Sequence, residues 1–306
     1  MFTAAVTPLT NYVRALAYSS SLGMFVAGGS DFVGSILVST SVDGGVTWTA
    51  QTTPWDGLTD INSISWSPSL GLFVAGAAGG NGPSLMTSPN GSAWTLRASP
   101  VDDNYVFGIT WASALGLFVA VTNDYVGDVG YIVTSPDGTN WTIQASYPSD
   151  PIIDVSWSPA LGMFVACTGN ASGGWNLTSF DGVNWQWQDG QLTGVFYPQK
   201  TVWVDNLGRF VAIGTDGATP VARLVATSFD GGVTPWVPQA TPFDDGGVNA
   251  VGVADDGQAL VGGNTSSGTG PLMSSSDGMQ WRTQPTPLTV ASAMAASSSV
   301  TVLGGA

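Results

Sequence analysis

Four short stretches of the chain place aspartate beside aromatic residues. They are Trp55-Asp56, Asp102-Asp103-Asn104-Tyr105, Asn123-Asp124-Tyr125 and Phe243-Asp244-Asp245. An aromatic ring can stack on the C–H face of a sugar while a nearby carboxylate accepts hydrogen bonds from its hydroxyls. Aspartate and asparagine are also typical of plain solvated loops, because they tolerate turn geometry. The candidate glycan-binding residues are therefore Trp55, Asp56, Asp102, Asp103, Tyr105, Asp124, Tyr125, Phe243, Asp244 and Asp245.

Paired aspartates could also act as a catalytic acid and base, as in many glycoside hydrolases. Asp102-Asp103 and Asp244-Asp245 are adjacent in sequence, but adjacency does not set the separation that this chemistry requires. The chain has no histidine, which excludes Ser-His-Asp and Cys-His catalysis and histidine-bearing metal sites. We predict no catalytic residue, and an aspartate-only glycan-processing enzyme is the alternative.

The single cysteine and the spacing of the acids argue against other reactive sites. Cys167 follows the apolar run Phe164-Val165-Ala166, which predicts a buried thiol rather than a nucleophile. No aspartate spacing resembles a calcium-binding loop. We therefore expect no bound metal and no cofactor.

Composition excludes several classes of partner. All 21 acidic residues are aspartate, and the formal net charge is −15. Neutralising phosphate groups requires clustered Lys and Arg, so we expect no nucleic-acid partner and no anionic membrane partner. No stretch approaches the roughly 18 uninterrupted apolar residues of a membrane-spanning helix, and the first residues lack the features of a secretion signal.

A turn motif recurs six times and ends each time in tryptophan. The tryptophans stand at 48, 94, 141, 185, 236 and 281, which are steps of 44 to 51 residues and typical of β-propeller blades. Asp-Gly or Asn-Gly between extended runs predicts a hairpin, because glycine adopts positive φ without a steric clash. The polar residue before the glycine can accept hydrogen bonds from the turn. This predicts a structural role for Asp43, Asn90, Asp137, Asp181, Asp230 and Asp277.

The segment Ser41-x-Asp43-x-Gly45-x-x-Trp48 resembles the Asp-box, or bacterial neuraminidase repeat, of sialidase-like and several other propellers. The other copies, Ser88–Trp94, Ser135–Trp141, Ser179–Trp185, Ser228–Trp236 and Ser276–Trp281, are looser. The resemblance implies an architecture rather than an activity. A sialidase site needs clustered arginines and a tyrosine activated by glutamate, whereas this chain has no glutamate and its arginines are scattered.

The degenerate repeats and the scarcity of lysine also resemble propeller modules of bacteriophage virion proteins. This resemblance implies a non-enzymatic structural or adhesive propeller, namely a tail, fibre or capsid appendage that docks other subunits or binds host-surface glycan. The protein would then be located in the virion, as an oligomer. A bacterial scaffolding propeller that binds a protein partner is a further alternative, located in the cytoplasm or reaching the cell surface by a non-classical route.

Each repeat predicts four short strands, A to D, so the fold class is all-β. Residues 289–306 align with 12–29 and would supply strands A and B, while Phe2–Pro8 resembles a strand D. We predict one seven-bladed β-propeller domain over 1–306 with four-stranded antiparallel blades, and six blades with spare terminal strands are the alternative. The predicted blades span about 11–53, 60–99, 105–147, 151–189, 199–241 and 247–286, with a closing blade of 289–306 plus 1–8.

This strand order places the D-to-A and B-to-C loops on one face, together with the candidate glycan-binding residues. The A-to-B and C-to-D turns lie on the opposite face. Five aromatic residues recur in strand A, where they predict packing between blades: Tyr18, Trp66, Trp111, Trp157 and Trp203.

Overall fold

The computed structural model describes fifteen segments of the chain. These are 8–9, 12–30, 38–54, 60–78, 84–101, 104–124, 129–169, 176–188, 197–215, 223–239, 248–254, 256–263, 272–284, 293–296 and 301–304. The chain divides into two compact units, whose main segments are Ala5–Ile152 and Ile153–Gly305.

The first unit contains three antiparallel sheets of four strands each, with neighbouring strands in chain order. Blade 1 is Tyr12–Ser19 (β1), Met24–Ser30 (β2), Val38–Ser41 (β3) and Thr49–Gln51 (β4). Blade 2 is Asp60–Ser67 (β5), Leu72–Ala78 (β6), Leu85–Ser88 (β7) and Thr95–Arg97 (β8). Blade 3 is Asn104–Ala112 (β9), Leu117–Asp124 (β10), Gly130–Ser135 (β11) and Thr142–Tyr147 (β12).

The second unit contains three further sheets of the same order and one hairpin. Blade 4 is Ile152–Ser158 (β13), Met163–Thr168 (β14), Asn176–Ser179 (β15) and Gln186–Gln188 (β16). Blade 5 is Tyr197–Val204 (β17), Arg209–Thr215 (β18), Arg223–Ser228 (β19) and Val237–Gln239 (β20), with a 3-10 turn at Asp205–Leu207. Blade 6 is Val248–Val253 (β21), Ala259–Gly263 (β22), Leu272–Ser275 (β23) and Arg282–Gln284 (β24). The hairpin is Ala293–Ala296 (β25) and Thr301–Gly304 (β26).

The prediction of seven blades is wrong, because the described residues form six four-stranded sheets. The C-terminal segment does supply the two predicted strands, and among the described residues β25 and β26 pair with each other in a two-stranded sheet. The strand D expected from residues 1–8 lies outside the described residues apart from Pro8. The alternative of six blades therefore fits the structure.

Blades 1 to 5 each contain an aromatic pair between strands A and B. Trp111 of β9 lies opposite Phe118 of β10, with ring centroids 4.5 Å apart, and Phe118 lies 6.4 Å from the motif tryptophan Trp141. Blades 2 and 4 have the same three-ring arrangement. The strand A aromatics therefore contact the phenylalanine of their own blade. Trp66, Trp111 and Trp203 also belong to or pack against clusters that include residues of the preceding blade, as expected for packing between blades.

Neighbouring blades pack through apolar side chains and small residues. In the first unit, Val74 and Leu85 of blade 2 share a buried cluster with Val106 and Ile109 of blade 3. Gly76 of β6 has no room for a side chain, because a Cβ there would overlap Val106. Glycine at this position therefore lets strand A of the next blade approach closely.

Strand A carries a recurrent β-bulge in five blades. The bulged side chains Arg14 and Asn62 reach the next blade. Arg14 Nε lies 3.4 Å from Asp60 Oδ1, and Asn62 Nδ2 donates a 3.1 Å hydrogen bond to the carbonyl oxygen of Val106. The bulges thus turn polar side chains towards the adjoining blade.

Candidate functional site

The structure describes two of the ten candidate glycan-binding residues, and both lie at the same end of blade 3. Tyr105 is near the start of β9 and Asp124 ends β10, with Tyr105 opposite Asn123 and Asp124 opposite Asn104 in the strand register. Both side chains are partly exposed. The other eight candidates lie outside the described residues: Trp55, Asp56, Asp102, Asp103, Tyr125, Phe243, Asp244 and Asp245.

Asp124 also has a structural role at this edge of blade 3. Its Oδ1 accepts a 3.1 Å hydrogen bond from the backbone N–H of Val129, and its own N–H donates a 3.1 Å bond to the carbonyl of Val129. The Tyr105 ring packs edge-on against Phe107, with centroids 6.2 Å apart. This end of blade 3 therefore carries a supported aromatic ring on β9 and a carboxylate on β10 that bonds to Val129 across the B-to-C loop. Because successive side chains of a strand alternate between the two faces of a sheet, Tyr105 shares a face with Asn123, and Asp124 lies on the other face.

Sequence reasoning missed the part played by Asn123, next to this pair. Asn123 is buried, its Nδ2 donates to the Ile152 carbonyl at 3.1 Å, and its Oδ1 accepts from the Ile152 N–H at 2.8 Å. An amide can satisfy both backbone groups of one residue in this way. The amide thus ties the end of β10 to the first residue of β13.

The motif acids hold their own hairpins together. Asp43 accepts hydrogen bonds from Ser41 Oγ, from the N–H groups of Val46 and Thr47, and from Thr47 Oγ1. The bonds from the Thr47 side chain and backbone lower the pKa of Asp43 to about 2. Asp43 is therefore an ionised structural acceptor.

The other motif positions repeat this arrangement. Backbone hydrogen bonds from Asn184 are the largest cause of the lowered pKa of Asp181, which is about 2. Asn90 also stabilises its turn, although it is uncharged. Its Oδ1 accepts hydrogen bonds from the N–H groups of Ser92 and Ala93 at 3.1 and 2.8 Å. Lowered pKa values and turn hydrogen bonds also occur at Asp137 and Asp277, and turn hydrogen bonds at Asp230.

The sixth motif begins one residue earlier than the sequence alignment placed it. Ser275 Oγ donates to Asp277 Oδ1 at 2.9 Å and accepts from the Gly278 N–H at 2.8 Å. Ser276, the predicted first residue, occupies the variable position. All six motifs therefore start with a serine two residues before the polar acceptor.

Five of the six motif tryptophans form a hydrogen bond through the indole nitrogen, whereas Trp281 Nε1 is buried with no partner among the described residues. In four motifs the Nε1–H donates to the carbonyl of the glycine three residues earlier, as Trp94 does to Gly91 at 2.8 Å. The fifth motif is longer, and Trp236 Nε1 instead lies 3.4 Å from Asn176 Oδ1 on blade 4. Asn176 Nδ2 also donates to the Gly231 carbonyl. The longer turn is thus fixed by the preceding blade.

Two ionisable groups are buried in the second unit. Burial raises the pKa of the Cys167 thiol, and the nearby Asp154 carboxylate raises it further. Burial also raises the pKa of Asp154, while Lys200 and the N–H groups of Thr201 and Val155 act in the opposite direction. Cys167 is therefore a neutral core thiol rather than a nucleophile.

The described segments do not bring three or more Cys, His, Asp or Glu residues together in a way that could hold a metal ion. They also contain no helix with the length and apolar character needed to span a membrane.

No protein-family model matches the chain, and a search of curated proteins finds no match either. Solved structures do match. YCF48 from Cyanidioschyzon merolae has a TM-score of 0.68 and 16% identity, covering 98% of this chain and 94% of that one. The GH74 xyloglucanase from Xanthomonas campestris has a TM-score of 0.71 and 14% identity, covering 96% of this chain and 50% of that one.

A third similar structure is YCF48 bound to D1 peptide, with a TM-score of 0.60 and 19% identity over 91% of this chain and 83% of that one. The three structures include an enzyme and a peptide-bound protein. At such low sequence identity, the similarity shows a shared fold and not a shared function. The chain spans half the length of the xyloglucanase. Together with the four-stranded blades, these similarities show that the chain has the β-propeller fold.

Proposed function

We propose that this protein is a non-catalytic docking propeller that binds other macromolecules through its loops and turns. The proposal rests on one observation: the aspartate or asparagine that recurs in the turn motifs accepts hydrogen bonds within its own hairpin. Asp43 and Asp181 each accept at least four hydrogen bonds from their own turn. Carboxylates engaged in this way position backbone rather than substrate.

Two further reactive groups support the same conclusion. Cys167 and Asp154 are buried in the second unit, and the chain contains neither histidine nor glutamate. A general acid or base has to reach its substrate. Buried groups and turn acceptors are poorly placed to do so, which favours binding over catalysis.

The proposed ligand face is the loop edge that carries Tyr105 and Asp124. A partly exposed aromatic ring and a carboxylate at the same end of a blade are groups that sugar-binding surfaces use, and we propose a host-surface glycan as one ligand. Protein subunits of a phage virion are the other proposed partners, because the degenerate motifs resemble those of virion propellers. The peptide bound to one structural neighbour gives a precedent for a propeller with a peptide ligand.

Virion membership is tested by mass spectrometry of purified particles. We expect the protein in particles at a fixed ratio to the capsid protein. If the protein is absent from purified particles, the proposed location in the virion is wrong.

The loop-face ligand is tested with host polysaccharide and the double variant Trp55→Ala/Tyr125→Ala. We expect the wild type to retard the polysaccharide in affinity electrophoresis and the variant to lose this effect with an unchanged melting temperature. Trp187→Ala, on β16, is the control and should bind normally. Release of reducing ends by the wild type would overturn the non-catalytic assignment, and equal binding by the double variant would reject this face.

A further inference from the structure

Apolar side chains are exposed at equivalent turn positions in blades 4, 5 and 6. Phe180 and Phe229 follow the motif serine and are 65% and 59% exposed. Val183, Val233 and Met279 follow the motif glycines and are 45%, 63% and 54% exposed. We name these five residues the apolar turn surface. Large apolar groups exposed at the same position of consecutive blades indicate an interaction surface.

The turns of blades 5 and 6 each pack against the preceding blade. Gly231 in the turn of blade 5 packs beside Met163 and Thr178 of blade 4. In the same way, Gly278 of blade 6 packs beside Leu207 and Thr227 of blade 5. Thr178 and Thr227 each lie two residues before an exposed phenylalanine, so the turns that carry the apolar side chains are at the same end of consecutive blades.

The fold itself does not require apolar residues at these positions. Blade 3 has Pro136 and Thr139 there, and its Asp137 makes the same turn hydrogen bonds. Blade 2 has Pro89 and Ser92 around Asn90, with the same hydrogen bonds to the turn. The phenylalanines, valines and methionine of blades 4 to 6 therefore serve something other than hairpin formation.

The electrostatics of this surface indicate the chemistry of its partner. Each hairpin has an aspartate at its centre, at Asp181, Asp230 and Asp277, and none of the three turns contains Lys or Arg. Asp205 and Asp256 lie in the A-to-B turns at the same end of blades 5 and 6, where Asn206 Nδ2 donates to the Asp256 carbonyl. Arg209 at the start of β18 and Arg282 at the start of β24 are the nearby cations in the described turns and strands. Acids thus outnumber bases around the apolar groups.

We propose that the apolar turn surface docks a protein segment that carries aliphatic or aromatic side chains flanked by Lys or Arg. Apolar burial supplies affinity, and the aspartates select basic flanks and reject acidic ones. A second copy of this chain is a poor occupant, since each copy carries a net charge of −15. The inference rests on the proposed docking function and names the partner class for a face distinct from the loop edge.

The test uses three fluorescein-labelled synthetic peptides in anisotropy titrations. The first alternates Leu or Trp with Arg, the second replaces every Arg with Glu, and the third keeps Arg but replaces every Leu and Trp with Ser. We expect the first peptide to bind at least about tenfold more tightly than either of the others, because both apolar contact and charge matching are needed.

Two variants locate the binding. Phe180→Ser/Phe229→Ser/Met279→Ser should weaken binding of the first peptide by about tenfold or more, since it removes the exposed anchors. Val42→Ser/Val46→Ser alters the equivalent exposed positions of blade 1 and should change binding by less than about twofold. Phe229→Arg should weaken binding of the arginine peptide and strengthen binding of the glutamate peptide, a swap that a folding defect would not produce.

Equal affinity for the arginine and glutamate peptides would overturn the inference, as would an equal loss of binding in the blade 1 control or no binding at all. Concentration-dependent dimerisation that is abolished by the triple variant would assign the surface to a second copy instead. If these tests fail while polysaccharide binding still depends on Trp55 and Tyr125, the proposed function stands and only the turn-face partner is rejected.

Discussion

The carboxylate of Asp154 accepts a 2.8 Å hydrogen bond from the backbone N–H of Thr201 on the neighbouring blade. Ser63 occupies the equivalent place in blade 2, three residues before the strand A tryptophan, and its Oγ accepts a 3.0 Å bond from the Ile109 N–H of blade 3. The backbone N–H of the next blade therefore donates to a hydroxyl oxygen at Ser63 and to a buried carboxylate oxygen at Asp154. The carboxylate brings a charge into the packed interior.

Asp154→Asn should stabilise the protein at neutral pH by about 1–3 kcal/mol, because the amide oxygen keeps the acceptor and the buried charge is removed. The folded-state pKa of Asp154 lies above its ordinary value of 3.8, so the stability linked to its protonation is full below that value and is lost as pH rises. The advantage of the variant should therefore grow from pH 3 to pH 7 in urea denaturation. Asp256→Asn, at an exposed turn, is the control. A constant difference across this range would contradict the prediction.

Asp43→Asn and Asn90→Asp form a reciprocal pair. Asp43 uses its second oxygen to accept from Thr47, which an amide nitrogen cannot do, so Asp43→Asn should lower the melting temperature at pH 7. Asn90→Asp should raise it, because the charged acceptor strengthens the bonds from Ser92 and Ala93.

The lowered pKa of Asp43 also predicts how the stability difference between the wild type and Asp43→Asn changes with pH. Because the pKa of Asp43 is about 2 in the folded state, its stabilising effect is present above 3.8 and is lost as pH falls towards 2. Melting curves at pH 7 and pH 2 should therefore show the wild type and Asp43→Asn converging at the lower pH. Melting temperatures that stay equally far apart would show that the charge is not the stabilising element.

Trp141→Ala should cost about 3–5 kcal/mol of unfolding free energy, since it opens a cavity beside Phe118 and removes the indole bond to Gly138. Trp187→Ala is the matched control, because that ring is 40% exposed. Its cost should be less than half as large in the same urea titration. Equal costs would mean that the motif tryptophans do not anchor the blades.

Asn176→Ala should destabilise the protein by about 1–3 kcal/mol, because Trp236 Nε1 and the Gly231 carbonyl lose a buried partner. The exposed Asn184→Ala, which loses only a bond to Asp181, should cost less. A double-mutant cycle of Asn176→Ala with Trp236→Phe should give a coupling energy well above zero. Strict additivity would show that the two side chains do not act as a pair.

The sequence predicted most of the strands because alternation and turn chemistry are local properties. The predicted blades 11–53 and 151–189 begin within one residue of the observed first strands, β1 and β13. The predicted Tyr105 and Asp124 fall at one edge of blade 3, because β9 and β10 are adjacent strands of one repeat. The repeat periodicity thus predicts both the strands and their order within a blade.

The errors concern relationships between distant parts of the chain. The aligned C-terminal pattern correctly predicted two strands, but a repeat pattern cannot say whether they gain two further partners, and the seventh blade was wrong. The bonds of Asn123 to Ile152 and of Asp154 to Thr201 join different blades, so no spacing within one repeat reveals them. The first serine of the sixth motif was misplaced because Ser275 and Ser276 are chemically identical neighbours.

The hydrogen bonds of the motif turns connect residues only two to four positions apart, as between Asp137 and Asn140 or between Ser41 and Gly45. Closing such short loops costs little chain entropy, and isolated hairpins form in roughly 1–10 μs. Each motif can therefore act as an independent nucleus during synthesis, before the neighbouring repeats have left the ribosome. A nascent chain of this kind acquires order one hairpin at a time, which limits the period during which its long apolar strands are unprotected against aggregation.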